Sequence, residues 1–196
     1  MTDDIEDAIR SRATGGSTPE IDISDRVAFD TQADDTLGSN LVNTSTMTDR
    51  GFKRIGEDTD SSRAVFRRDG VVVKFDHVGL DPWRNENERK NWEERLPEDA
   101  LDRFAPVLET GEDDVWLAME YAETEGVTDQ QHADLLYDLM VVHNLDMTDP
   151  HPDNVGVLDG RAVLIDYNFR PQEVGETQEE REAAYEAKLW DYSLRP

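Results

Sequence analysis

An α+β fold, with an antiparallel sheet first and a smaller helical part after it, is what the sequence predicts. Three observations predict it. From Gly51 onward, short apolar runs of strand length follow in the order strand, strand, strand, helix, strand, strand. Two Asp-Gly pairs, Asp69-Gly70 and Asp159-Gly160, stand between apolar runs, and this pair suits the two positive φ angles of a tight hairpin. Beyond Tyr121 the longer segments carry helical spacing instead.

Each element has its own signal. Phe52–Ile55, Ala64–Arg68 and Val71–Phe75 read as three strands, the last two joined at Asp69-Gly70. The charged stretch Asn85–Arg95 reads as a helix ended by Leu96-Pro97, since proline cannot continue one. Ala105–Leu108 and Val115–Glu120 read as two more strands around the turn Gly111–Asp114. A helix over Asp129–Val142 places Leu135, Leu136, Leu139 and Met140 on its apolar side. After the loop Asp146–Asn154, the strands Val155–Leu158 and Ala162–Ile165 meet at Asp159-Gly160. A last helix covers Thr177–Leu189, with Thr177 and Glu180 spaced as a capping box. Residues 1 to about 48 are rich in Asp, Ser, Thr and Gly, and read as a disordered or loosely docked tail with one short helix at Ile5–Arg12.

Composition narrows the partners. Asp and Glu number 46 against 20 Lys and Arg, for a net charge of −26, and the acids are spread along the whole chain. That distribution fits a surface adapted to very high salt better than a single acidic docking block. A duplex nucleic-acid surface is not expected, because holding phosphates needs clustered Lys and Arg. No stretch approaches the ~20 apolar residues of a membrane span. The first ten residues are acidic and unlike a signal peptide, so a soluble cytoplasmic protein is expected. With no cysteine there is neither disulfide nor thiolate metal site, and four scattered histidines give no zinc spacing.

The chemistry gathers near the end. Asp149 and Asn154 flank a turn stiffened by Pro150 and Pro152, and Asp166 follows an apolar strand twelve residues past Asn154. A plain Pro/Asp/Asn turn would explain the first pair but not the second Asp at a strand end. Oxygen ligands from Asn154 and Asp166 suit a hard cation such as Mg²⁺, which leaves Asp149 to orient or deprotonate a hydroxyl. His151 reads as a loop-holding residue.

The run D-x-H-P-x-N at Asp149–Asn154, followed by an apolar strand and Asp166-Tyr167, resembles the catalytic loop and metal-binding segment of protein kinases. It is closer still to aminoglycoside phosphotransferase-like and small phage or archaeal kinase-like proteins. The resemblance covers about Gly51 to Phe169 and rests on six elements in order. It implies a minimal protein-kinase-like two-lobed fold that binds a Mg-nucleotide between its lobes. The antiparallel-sheet N-lobe would span 49–122 and a truncated helical C-lobe 123–196.

By position, the resemblance makes Asp149 the catalytic base, Asn154 and Asp166 the metal ligands, and Lys74 the contact to the α/β-phosphates. Glu88 takes the place of the ion-pair partner of Lys74, although Glu86, Glu93 and Glu94 share its charged helix. Gly56 to Arg63 takes the place of the phosphate-covering loop, with Ser61 and Ser62 as donors. Backbone groups of Glu120 and Ala122 take the place of the adenine-holding hinge.

The chain departs from the family in four places. The loop has one glycine, Gly56; Met147-Thr148 precedes Asp149 where the family has His-Arg; Asn168 stands for the glycine of D-F-G; and thirty residues follow Asp166, too few for a large substrate lobe. The implied function is an ATP- and Mg²⁺-dependent phosphotransferase, of the Ser/Thr protein-kinase kind, with a protein substrate or a completing partner. A pseudokinase-like nucleotide-binding module and a small-molecule kinase are the alternatives.

Overall fold

A computed structural model of the protein describes residues 21–22, 24–26, 28–30, 44–55, 63–76, 83–146, 151–167 and 171–191. The expected helix at Ile5–Arg12 lies outside them. The chain divides into two compact units, Met1–Arg89 with Pro106–Tyr121, and Lys90–Ala105 with Ala122–Pro196. The class is α+β, as predicted.

The first unit is built on a five-stranded antiparallel sheet of β1 (Lys53–Ile55), β2 (Arg63–Arg68), β3 (Val71–Asp76), β4 (Val107–Thr110) and β5 (Trp116–Glu120). Their spatial order is β1-β2-β3-β5-β4. The β2–β3 turn uses Asp69 at φ 45° and Gly70 at φ 85°, the pair of positive angles that a two-residue hairpin requires. β4 starts two residues later than expected. Pro106 has no amide to give a ladder, and the Ala105 N–H donates to Leu164 O at 2.8 Å.

Alternation along β3 splits its side chains between two faces, both buried. Val73 and Phe75 lie opposite Phe66 and Ala64 of β2 and opposite Ala118 and Trp116 of β5. This face is covered by residues from the start of the chain. Phe29 sits edge-on to Phe52, Phe75 and Trp116, with ring centroids 5.5, 6.1 and 5.1 Å away. Phe29 and Met47 are fully buried, Met47 from helix α1 (Thr44–Asp49). Polar contacts tie the same segment down. Trp116 Nε1 donates to Asp30 Oδ1 at 2.9 Å, Arg26 pairs with Glu109 at 2.9 Å, and Arg68 forks onto Asp25. A disordered or loosely docked tail over 1–48 therefore does not describe these residues: their composition is polar, but the few apolar ones complete the core.

The other face of the sheet carries Val72, Lys74 and Asp76, and helix α2 (Trp83–Lys90) buries Asn85 and Glu88 in the same unit.

The second unit holds α3 (Asp129–Tyr137), the pairs β6–β9 (Leu145–Asp146, Gln172–Glu173) and β7–β8 (Val155–Leu158, Arg161–Leu164), and α4 (Gln178–Asp191). Thr128 caps α3 in a reciprocal box with Gln131. Asp159 and Gly160 turn β7 into β8 at φ 50° and 80°. The predicted box at α4 is formed: Glu180 N–H donates to Thr177 Oγ1 at 3.2 Å, and Thr177 N–H to Glu180 Oε2 at 3.0 Å.

Two of the three helices expected beyond Gly51 end in a widened π turn, Asn91–Arg95 after α2 and Asp138–Val142 after α3. The segment 90–105 belongs to the second unit, where Phe104 stacks edge-on with Tyr167 at 5.2 Å. The expected boundary at 122 had placed it in the first. No helix among the described residues is long and apolar enough to cross a membrane.

Candidate functional site

In the first unit the chemistry lies under β3. Lys74 stands opposite Val65 and Leu117, and its side chain is 7% exposed. A lysine this buried needs a counter-charge, because desolvation otherwise disfavours the ammonium. Glu88 supplies it, with Oε2 2.8 Å from Lys74 Nζ. Helical phasing selects Glu88 from its acidic neighbours. Glu88 and Asn85, three apart, share the buried side of α2, while Glu86 is half-buried and Glu93 and Glu94 are exposed.

Glu88 does not belong to Lys74 alone. Its other oxygen, Oε1, accepts from Arg63 Nη1 at 2.7 Å. Asn85 locks the assembly to the sheet: its Nδ2 donates to Lys74 O at 3.2 Å and Val115 O at 3.3 Å, and its N–H donates to Asp76 Oδ2 at 3.1 Å. Burial pushes the Asp76 carboxyl up to about 6, against the Asn85 amide and the nearby Arg63 and Arg84, with Glu88 adding to the rise.

Sequence reasoning missed Asp76 and Asn85 as site residues and put Arg63 at the end of the phosphate-covering loop, whereas it is the first residue of β2 and pairs with Glu88. A signal existed for two of the three. Arg63 begins the alternation Arg63-Val65-Arg67 that shares a sheet face with Lys74, and Asn85 lies one helical turn before Glu88.

At the end of the first unit, Glu120 N–H donates to Pro106 O at 2.9 Å, and Tyr121 N–H donates to Gly70 O at 2.7 Å. Arg67 lies over the Tyr121 ring, 3.8 Å from its centroid, and donates to its hydroxyl at 2.5 Å. The chain then enters the second unit at Ala122. Glu123 and Val157 exchange backbone hydrogen bonds of 2.9 and 2.7 Å. Gly156 lies so close beneath Ala122 that a Cβ on it would come within 2.7 Å of the Ala122 Cβ.

In the second unit, Asn154 and Asp166 sit at the open end of the β7–β8 hairpin. Val155 pairs with Leu164, and one step beyond, Ile165 N–H donates to Asn154 O at 2.9 Å. The residue after Asp166 is pinned. Tyr167 is fully buried, its hydroxyl donates to Ala105 O at 2.7 Å, and its carbonyl accepts from Asn91 Nδ2 at 2.5 Å. An amide oxygen and a carboxylate thus leave adjacent points of a fixed backbone, both half-buried.

This donor pair is all hard oxygen and fits Mg²⁺ bound jointly with phosphate oxygens and water. Among the described residues there is no group of three or more His, Cys, Asp or Glu that could hold a metal by itself. His151 accepts from Asp153 N–H at 3.3 Å and caps the short turn before Asn154. Asp149, Gly56, Ser61 and Ser62 lie outside the described residues.

No family model matches the chain, and no curated protein matches it. Among solved structures it is similar to WbdD, at 22% identity and a TM-score of 0.43, over 60% of this chain and 32% of WbdD. A co-crystal of WbdD with a kinase inhibitor gives 24% identity and a TM-score of 0.42, over 56% of this chain and 31% of that one. The choline kinase LicA from Streptococcus pneumoniae is 13% identical with a TM-score of 0.40, over 72% of this chain and 74% of LicA. The chain spans about a third of the length of WbdD. With TM-scores this low, the reading of the site rests on the chain's own residues.

Proposed function

We propose that the chain is an ATP- and Mg²⁺-dependent phosphotransferase of the protein-kinase-like kind, acting on a Ser or Thr hydroxyl of a protein. One observation carries the reading: the buried ion pair of Lys74 and Glu88, at 2.8 Å, between the third strand of an antiparallel sheet and the helix that follows it. A surface lysine has no need of a fully buried glutamate, whereas a lysine that must meet a phosphate at a fixed point does.

In this reading Lys74 faces the α/β-phosphates, and backbone groups of Glu120 and Ala122 hold the adenine. Ser61, Ser62 and the Gly56 backbone cover the phosphates. Asn154 and Asp166 would hold Mg²⁺, which when bound supplies positive charge to the phosphate oxygens. Asp149 aligns the acceptor hydroxyl and takes its proton as the O–P bond forms, while the β–γ bridging oxygen leaves with ADP. Positioning and charge neutralisation do most of the work, because the transition state is loose.

A pseudokinase-like binding module is the second reading. The single glycine in residues 56–63 favours it, since a close-fitting phosphate loop normally needs more.

The test is transfer of labelled γ-phosphate from ATP with Mg²⁺ in molar KCl, to the protein itself or to an added acceptor. Wild type is expected to transfer label, and Asp149→Asn to lower the rate by roughly 100-fold or more, the range of general-base loss. A folded wild type that binds ATP without transferring label would leave the binding module as the correct reading.

A further inference from the structure

We infer that Arg63 is a positioning residue for the proposed nucleotide site: it holds Glu88 in place, and so fixes the ammonium of Lys74, before any ligand arrives. The functional half of this inference rests on the reading above; the geometric half does not.

The two oxygens of Glu88 have separate cations on separate strands. Arg63 Nη1, from the start of β2, lies 2.7 Å from Oε1, and Lys74 Nζ, from β3, lies 2.8 Å from Oε2. A carboxylate with one ammonium partner can rotate about its last torsion or swing away with the lysine. With the second oxygen held by a planar guanidinium, rotation breaks one pair and withdrawal breaks both. The Arg63 and Lys74 side chains are 5% and 7% exposed and that of Glu88 is not exposed at all, so withdrawal would take a buried counter-charge from both cations at once.

Arg63 also reaches Asn85 Oδ1 at 3.3 Å, and Asn85 is tied to both β3 and β5. The helix that carries Glu88 is therefore anchored at two positions one turn apart. Stability does not account for this arrangement well. Apolar side chains of similar volume would hold helix to sheet at least as firmly, because desolvating three charges offsets their attraction. What the ionic cluster adds is a defined place for one ammonium.

The test uses the four lysines of the chain, Lys53, Lys74, Lys90 and Lys188, as internal references. An amine-acylating reagent at limiting concentration, followed by peptide mapping, reads each rate in wild type, Arg63→Gln, Glu88→Gln, the double variant and Arg63→Lys. Lys74 is expected to be the slowest in wild type. In Arg63→Gln its rate should rise about tenfold while the other three change little, a coupling of ordinary size for residues in one buried network. The double variant should match Glu88→Gln alone, since Arg63 acts through that carboxylate, and Arg63→Lys should restore most of the protection.

An unchanged Lys74 rate in Arg63→Gln overturns the inference. So does a parallel rise at all four lysines, which would mean that Arg63 only keeps the unit folded. MgATP titration of the same variants separates this inference from the reading beneath it. Weaker binding in Arg63→Gln, with no further loss in the double variant, supports both. Protection that behaves as expected in a protein that binds no MgATP would retain Arg63 as the organiser of the pair and reject the nucleotide.

Discussion

Asp76 carries the clearest cost among the buried residues. Its Oδ2 accepts from Asn85 N–H, but its Oδ1 is buried with no hydrogen-bond partner among the described residues. Burial raises its pKa from 3.8 to about 6. The folded state therefore keeps a proton that the unfolded state releases, and stability from this group falls as pH rises from about 4 to 6. The whole of that contribution is on the order of 3 kcal/mol, from the size of the shift. Asp76→Asn keeps an oxygen for Asn85 N–H and removes the charge. Thermal unfolding of the two proteins should coincide near pH 4 and diverge above pH 6, with the variant the more stable. Equal melting temperatures at pH 7.5 would show that Asp76 is ionised without penalty. At this scale, Lys74 stood out in the sequence because it lies within an apolar strand, Asn154 because it precedes an apolar run and Asp166 because it follows one. Asp76 did not: the strand was read as ending at Phe75, and a charged residue one place beyond gives no sign of being buried. For Arg63 the alternation with Val65 and Arg67 was visible, but which face it takes is fixed only when the register is known.

The hairpins and helix starts were the legible elements. Asp-Gly demands a particular turn, and a Thr three residues before a Gln or Glu demands a cap, so local chemistry decides both. The widened turns at Asn91–Arg95 and Asp138–Val142 have no such local cause; the sequence continues the helical spacing through each. In the second one, Leu139, Met140 and Val141 are all buried, an arrangement set by what packs around them. The segment before Gly51 was the largest element-scale difference. Ile21 and Met47 each stand between polar residues and Phe29 ends the three-residue run Val27-Ala28-Phe29, too little to show a period, and their partners lie far along the chain. Phe29 sits among three aromatic rings, so Phe29→Ala removes a large buried side chain where little can collapse. A loss of about 3–5 kcal/mol is expected in urea unfolding, the usual range for such a truncation. A loss below about 1 kcal/mol would return this segment to the loosely docked tail that its composition suggests.

Over the whole molecule, the sequence made the order of elements visible and left their grouping hidden. The antiparallel sheet, the helix after β3 and the late β-hairpin were all readable. The membership of 90–105 in the second unit was not, because it rests on contacts to Leu164 and Tyr167, from 59 to 76 residues further on. Net charge acts at this scale as well. With −26 on 196 residues, self-repulsion opposes compaction at low ionic strength, and molar salt screens it within a few ångströms. Binding a polyphosphate to so acidic a chain also requires local positive charge, and in the proposed reading Lys74, held by Glu88, supplies it. MgATP titration by calorimetry in molar KCl, wild type beside Lys74→Met, tests that claim most directly. Arg63 still pairs with Glu88 in the variant, so the fold should persist. Wild type is expected to bind in a Mg²⁺-dependent way and Lys74→Met to lose at least tenfold, about 1.4 kcal/mol or more. No binding by folded wild type, or equal affinity in the two proteins, would contradict the claim.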